Sequence, residues 1–395
     1  MDDTAPTGLA RDPPMHILVI NAGSSSLKAE LWDSSSAQAL LRWHAQRIGS
    51  AHGAIVSQSG SAPARRQVQM LSSHADAFQA LLRELGGQPA FQRVGHRVVH
   101  GGPDYVRSTW LDDRVCAELR RLVPLSPLHQ PLNLQLIGAS RQAWPAIPQA
   151  AVFDTEFHAT LPPVAREYAL PQTWRDWGVR RYGFHGIACE DVLHQLGAAR
   201  ASRLVICHLG SGASVTAVRD GASVDTSMGM TPLEGLVMAT RSGDVDPGAL
   251  LYLLRERGVS PAALNRGLNE ASGLLGLAGD RDMAHLLAAD TPAARFAVEL
   301  FCYRVRKAIG AYAAALGGLD QLVFSGGIGE NAPAVRAAIC APLDFLGVRL
   351  DPAANAANEA RLAAGPVDVR RIAVNENRAI ARAVAALPAP PAAVT

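Results

Sequence analysis

Residues 16–33, HILVINAGSSSLKAELWD, decide the fold. An apolar run from Ile17 to Ile20 breaks at Asn21-Ala22-Gly23-Ser24-Ser25-Ser26, after which Leu27, Ala29 and Leu31 alternate against Lys28 and Glu30. That pattern predicts a strand, a tight polar turn and a second strand. A turn of one glycine and three serines gathers N–H groups and hydroxyls into a small concavity that favours phosphate oxygens. Lys28 stands just beyond it. The only other lysine of this arginine-rich chain is Lys307, and a compact, flexible charge at that place suits a phosphate.

The device recurs. Residues 203–219, RLVICHLGSGASVTAVR, again read as apolar strand, Gly/Ser turn and alternating strand, with His208 at the point equivalent to Asn21. Residues 321–329, QLVFSGGIG, form a third strand-to-glycine turn, entering an expected helix after Glu330-Asn331. One such turn is ordinarily a plain hairpin. Three of them, with Asp154 closing the apolar run 149–153 and Glu376 heading a helical stretch, point to two related α/β lobes facing a nucleotide cleft. No GxxxxGK[ST] or GxGxxG is present, so the Walker and Rossmann solutions are set aside.

Outward from these turns, residues 34–73 read as further strands, and residues 74–85 as a helix stopped by Gly86-Gly87. Residues 94–100 form a short strand carrying Arg97, and 112–144 are helical around the break LVPLSPLHQP, where His129 lies between prolines. Helices are expected at 247–257 and 292–316, a last strand at 367–374 and a helix at 376–387, with a disordered Ala/Pro tail at 388–395.

A chain of 395 residues with 48% hydrophobic content is expected to bury two cores of ordinary size. A net charge of +2 leaves no basic stripe for a polynucleotide. The five cysteines form neither CxxC nor a Cys/His spacing, so a disulfide framework or zinc site is not expected and a reducing cytoplasm fits. Residues 1–14 lack the apolar core of a secretory signal, and no apolar run reaches the ~20 residues that span a bilayer. Taken singly, Arg97 and Arg241 read as surface or ion-pairing residues and His185 as a packed ring. Together they are the kit of phosphoryl transfer: cations for equatorial oxygens, a metal bridging phosphates and a donor to the group in flight.

The motifs ILVINAGSSSLK, RVVHGG, PLHQP, FDTEFH, RRYGFHG, HLGSGAS, VDTSMGMTPLEGLVMATRSGDVDPG, FSGGIGEN and NENRAIA, in this order, resemble those of the acetate kinase family. That family belongs to the superfamily of sugar kinases, Hsp70 and actin. The resemblance, from about Met15 to about Leu387, implies two RNase H-like, actin-like ATPase lobes. The first spans 15–154 and is completed by a C-terminal helix at 378–387. The second, 155–377, is the nucleotide-binding and dimerisation lobe, and residues 1–14 are a flexible extension. It implies direct, reversible in-line transfer of the ATP γ-phosphoryl group to acetate, giving acetyl phosphate and ADP, in a cytoplasmic homodimer.

By the same resemblance, Asn21 and Glu376 hold Mg²⁺, with Mn²⁺ as a substitute, and Lys28 approaches the phosphates. Arg97 and Arg241 bind the carboxylate and spread transition-state charge, His185 stabilises that state, and Asp154 either orients metal and substrate or exchanges a proton. Val99, Leu128, His129, Phe184 and Pro232 surround the acyl group. His208, Leu209, Gly210, Ser211 and Gly212 lie near the phosphates, and Gly327, Ile328, Gly329, Glu330 and Asn331 near the adenosine. Ser211 and Gln130 each stand where the family usually shows Asn. Asp280, Arg281 and Asp282 are implied to contact the nucleotide, although GLAGDRDM departs from the family's Ser-x-Asp-hydrophobic-Arg pattern: either a residue is missing between Asp280 and Arg281, or Arg281 and Asp282 occupy shifted places. A propionate or butyrate kinase, and a chaperone-like or actin-like ATPase switch, are the competing readings.

Overall fold

The computed structural model describes residues 15–86, 90–127 and 129–391. Its architecture is set by two sheets that repeat one plan. The first orders its strands β5-β4-β3-β2-β1-β6-β8-β7, with β1 His16–Gly23, β2 Ser26–Asp33, β3 Gln38–Gln46, β4 Ala54–Ser59, β5 Arg65–Val68, β6 Arg93–Val98, β7 Thr109–Trp110 and β8 Gln149–Phe153. The second runs β11-β10-β9-β12-β13, with β9 Arg203–Leu209, β10 Ala213–Arg219, β11 Ala222–Thr226, β12 Gln321–Ser325 and β13 Asp368–Arg371. In each, a hairpin pairs antiparallel on one side of a central strand while two parallel strands extend the other side: β2-β1-β6-β8 in the first, β10-β9-β12-β13 in the second. The echo between the two hairpins is therefore an echo of whole sheets.

Alternation along β1 explains how the first sheet is covered on both faces. Leu18 and Ile20 enter a core with Phe78 and Leu81 of α1 (His74–Leu85) and Leu136 of α3 (Gln130–Ala143), while α2 (Asp113–Arg121) packs beside α3. Ile17 and Val19 point the other way, onto Ile380 and Val384. A capping box starts α1, Ser73 accepting from the Asp76 N–H while Asp76 accepts from the Ser73 N–H. On the second sheet, Val205 and Cys207 join Phe301, Val305 and Ile309 of a long helix, Pro292–Leu316, and Leu204 and Ile206 meet Cys189, Val192 and Leu196 of α4 (Gly186–Leu196). We number α5 Met283–Ala288, the long helix α6, α7 Gly326–Asn331 and α8 Glu376–Ala386.

Ile380 and Val384 belong to α8, which leaves the second sheet after β13 and lies across β1, β6 and β8 of the first. Its approach is close enough that a Cβ added at Gly95 on β6 would stand 2.8 Å from Val384 Cγ2 and 2.9 Å from Ile380 Cγ2. Gly95→Ala is thus expected to lose about 1–3 kcal/mol by overpacking, read as a lower urea midpoint; an unchanged midpoint would mean that α8 is free to ride outward.

Several boundaries differ from the sequence reading. Asn21, Ala22 and Gly23 remain in β1, and the turn is only Ser24-Ser25, because Gly23 still pairs with Ser26. Gly326 to Asn331 are already helical rather than a turn before a helix, since the left-handed φ of +75° at Gly326 lets the chain enter α7 straight from β12. The last strand is Asp368–Arg371 alone, and the C-terminal helix ends at Ala386. Helix α4 was not anticipated. Leu128, residues 1–14 and the end of the 388–395 tail lie outside the described residues, while at its start the Pro388 carbonyl accepts from Trp110 Nε1 at 3.1 Å.

Candidate active site

Strand and helix termini of both sheets, where backbone groups are unsatisfied, converge between the sheets. They border a cleft of about 1210 Å³. From the first sheet come the Ser24-Ser25 turn, Asn21 and Lys28, which face one another across the β1–β2 ladder, and Arg97 on β6. The second sheet supplies His208 on β9, the Gly210-Ser211-Gly212 turn, and Gly327, Ile328, Glu330 and Asn331 of α7. His129, His185, Arg241, Arg281, Asp282 and Glu376 also line the wall. Residues separated by hundreds of positions are thereby brought to one surface.

The corner between β1 and α8 is a hydrogen-bonded unit. Asn21 Nδ2 donates to Glu376 Oε2 at 2.9 Å and to Asn377 Oδ1 at 3.2 Å, which leaves the Asn21 amide oxygen for a cation. Burial works against the Glu376 carboxylate, but Arg97, the Asn21 amide, His208 and Lys28 outweigh it and hold its pKa below the ordinary range. An ionised carboxylate and an amide oxygen, with waters and phosphate oxygens for the remainder, are what Mg²⁺ accepts. The donor set fits that ion without the three-ligand cage that is absent among the described residues.

The two arginines differ in kind. Arg97 grips Asp154 through Nε at 3.2 and 3.1 Å and Nη2 at 2.6 Å, and its Nε lies 3.9 Å from Glu376. Asp154, 1% exposed, sits behind Arg97 and does not border the cleft; burial pushes its pKa up against the pull of Arg97. Arg241 instead donates to the Pro232 carbonyl at 2.8 Å and touches Met238 Sδ, and no carboxylate pairs with it among the described residues. Burial, and then the like charge of Arg97, push its pKa down to about 10. It keeps its proton at neutral pH and awaits an anion.

His185 stands at the head of α4 in a left-handed conformation, φ 61°, with Nδ1 on Ser214 Oγ at 2.9 Å. Its ring centroid is 4.8 Å from that of His208, whose Nδ1 meets Ser325 Oγ at 3.1 Å. Burial and the neighbouring cations push His185 well below its ordinary value, and burial lowers His208 and takes His129 to about 4. All three rings are therefore neutral at pH 7. A Cβ added at Gly212 would lie 3.3 Å from His185 Nε2 and 3.7 Å from Arg241 Nη1. Glycine keeps that meeting point open.

Other expected residues lie behind the wall. Leu209, Val99 and Phe184 are in the apolar core and Gly329 is buried within α7. Pro232 enters the site through its carbonyl. Asp280 turns away to His285 Nδ1 at 3.0 Å and the Asp282 N–H at 2.9 Å, while Asp282 caps α5. Glu330 borders the cleft but accepts from the Gly326 and Val374 N–H groups, and Asn331 donates to the Gly327 carbonyl. Sequence reasoning gave no role to Asn377, Ser214 or Ser325, although each lies inside a quoted motif, NENRAIA, HLGSGAS and FSGGIGEN respectively.

Three more buried histidines give a pH prediction. Burial lowers His96, His100 and His158 to about 4 each, against hydrogen bonds to Gln149 and to the Met230 and Phe184 carbonyls. The unfolded chain, near 6.5, binds more protons between the two values, so stability is complete above pH 6.5 and falls as pH drops toward 4. Each ring is expected to withdraw up to about 2 kcal/mol between pH 7 and pH 5. Urea unfolding across that range checks it, and a flat profile would mean that these rings are not held neutral.

The model of the Acetokinase family matches residues 16–382. An acetate kinase of Dictyoglomus turgidum is 40% identical over 390 residues, covering 93% of this chain and 96% of its own. One of Deinococcus deserti is 45% identical over 392 residues, with the same coverages. Among solved structures, a propionate kinase from Francisella tularensis superposes with a TM-score of 0.88 at 36% identity, covering 93% of this chain and 98% of its own.

Proposed function

Because the chain belongs to the acetokinase family, we propose that it transfers the γ-phosphoryl group of ATP reversibly to acetate, giving acetyl phosphate and ADP. The observation that carries this reading is a half-buried Arg241 with no carboxylate partner among the described residues, beside neutral His185 and across from an Arg97 already anchored on Asp154. A carboxylate attacking a phosphoryl group is anion meeting anion; at ~4 Å and an effective dielectric of ~20, each like pair costs about 4 kcal/mol. Fixed cations remove that repulsion without reorganising.

In this reading Arg97 and Arg241 receive the acetate carboxylate and the equatorial oxygens, and His185 Nε2 donates to the transferring group. Acetate is already ionised at pH 7, and both Asp154 oxygens are engaged by Arg97, which supports an orienting role for Asp154 over proton exchange. Asn21 and Glu376 would hold Mg²⁺, which would supply positive charge against that of the phosphates. Lys28, Ser24 and the Gly210–Gly212 turn receive the phosphates; α7, with Arg281 and Asp282, receives the adenosine. Val99, Phe184 and Pro232 back the acyl group.

The domains follow the two sheets, with the first lobe, 15–154, completed by α8 and the second at 155–377. Exposed Leu251, Tyr252, Phe296 and Tyr303 on helices of the second lobe support a homodimer closed by that lobe, which light scattering would read as twice the 41.7 kDa chain mass. Five buried free thiols suit a reducing cytoplasm, and no described helix is long and apolar enough to cross a membrane.

The hydroxamate assay for acyl phosphate, with ATP, Mg²⁺ and acetate, propionate or butyrate, tests the proposal. Because one methylene is worth only ~1–3 kcal/mol, kcat/KM is expected to favour acetate over propionate modestly and over butyrate strongly. A butyrate preference would overturn the substrate. ATP binding with no acyl phosphate from any of the three would favour an ATPase switch.

A further inference from the structure

Helices α4 and α8 meet between the two sheets, α4 resting on the second and α8 on the first. On α4, residues Ile187, Asp191 and Gln195 recur every four positions and so share one face. Ile187 packs into the apolar cluster of Ile380 and Val384. One turn further along, Asp191 is 0% exposed. Its Oδ2 accepts from the Asn375 N–H at 2.9 Å, from Arg378 Nη2 at 2.7 Å and from Gln195 Nε2 at 2.9 Å. Its Oδ1 accepts from Arg378 Nε at 3.0 Å and Arg382 Nη1 at 3.3 Å. Gln195 also donates to the Ala373 carbonyl at 2.9 Å.

The Asn375 and Arg378 contacts grip the start of α8, and the Arg382 contact holds its second turn. Asn375 is its N-cap, accepting from the Arg378 N–H at 3.1 Å, and Glu376 and Asn377 are its first residues. The same α4 begins at His185. We propose that Asp191 is a positioning residue for the metal-binding corner: by clamping Asn375, Arg378 and Arg382 it fixes the first turn of α8, and with it Glu376, relative to Asn21 and His185. The inference rests on the assignment of Asn21 and Glu376 to Mg²⁺. The clamp has two effects. It sets the direction in which Glu376 leaves the helix, and it occupies the Arg378 guanidinium, which would otherwise be free to swing toward a carboxylate two residues away.

Outer residues that orient ligands commonly change metal affinity by 10–100-fold. Mn²⁺ binding to the ADP-saturated full chain, read from the electron paramagnetic resonance of free Mn²⁺, is compared for wild type, Asp191→Asn, Arg378→Gln and Glu376→Gln. The Mg²⁺ concentration for half-maximal activity and the KM for acetate are measured alongside. Glu376→Gln is expected to weaken Mn²⁺ at least about tenfold. Asp191→Asn is expected to weaken it about tenfold, raising the Mg²⁺ half-saturation by the same factor and leaving the acetate KM within about twofold. Arg378→Gln, which keeps Asp191 on its other partners, moves the same quantities in the same direction by less. Wild-type Mn²⁺ affinity in Glu376→Gln would overturn the metal assignment itself. Weakening there without weakening in Asp191→Asn would overturn the clamp alone, as would an acetate KM that rises as much as the metal constant. Should Asp191→Asn fail to fold, an unchanged Mn²⁺ affinity in Arg378→Gln overturns it.

Discussion

Arg241→Ala is expected to lower kcat by about 10³-fold or more, as loss of an arginine that stabilises phosphoryl-transfer charge does, with no loss of fold. No carboxylate relies on this guanidinium among the described residues; its protein contacts are the Pro232 carbonyl and Met238 sulfur. Burial and Arg97 already oppose its charge, holding its pKa near 10. Removing it therefore relieves that opposition, and the urea midpoint is expected to stay level or rise. Wild-type turnover in the variant would refute the assignment, and unfolding would show that the residue is structural.

Arg97→Ala is expected to fail differently. It strips the buried Asp154 of its three bonds from Arg97 and deprives Glu376 of its nearest cation. Breaking a buried pair from one side typically costs 3–5 kcal/mol, so a large fall in urea midpoint should accompany the loss of activity. Replacing both partners, Arg97→Met with Asp154→Leu, is expected to recover much of that stability and none of the activity. Equal stability in the single and double variants would mean that Asp154 tolerates its burial unpaired.

The contrast was not legible in the sequence, where both arginines carry the same letter. Apolar runs interrupted by Gly and Ser located β1, β2, β9 and β10, because those signals are local and alternation is enforced by burial on each face. The strand 149–153 and the helix 74–85 were legible for the same reason. What a side chain faces is decided by chain segments far away. Asp154 reads as the edge of a site and proves to be the support behind one, because Arg97 comes from the neighbouring strand. Asp280 reads as a nucleotide contact and is taken up by His285. Helix α4 begins at a His-Gly pair that carries no ordinary N-cap signal, since its cap adopts a left-handed turn.

The crossing of α8 onto the first sheet also has a consequence for biosynthesis. Ile17, Val19, Ala150 and Val152 share an apolar face whose cover is Ile380 and Val384. On a ribosome, where domains ordinarily fold from the N-terminus forward, the strands of that sheet emerge long before the helix that shields them. The nascent first lobe must hold a bare greasy flank through the synthesis of the entire second lobe, and becomes a finished unit only when residues 376–386 arrive.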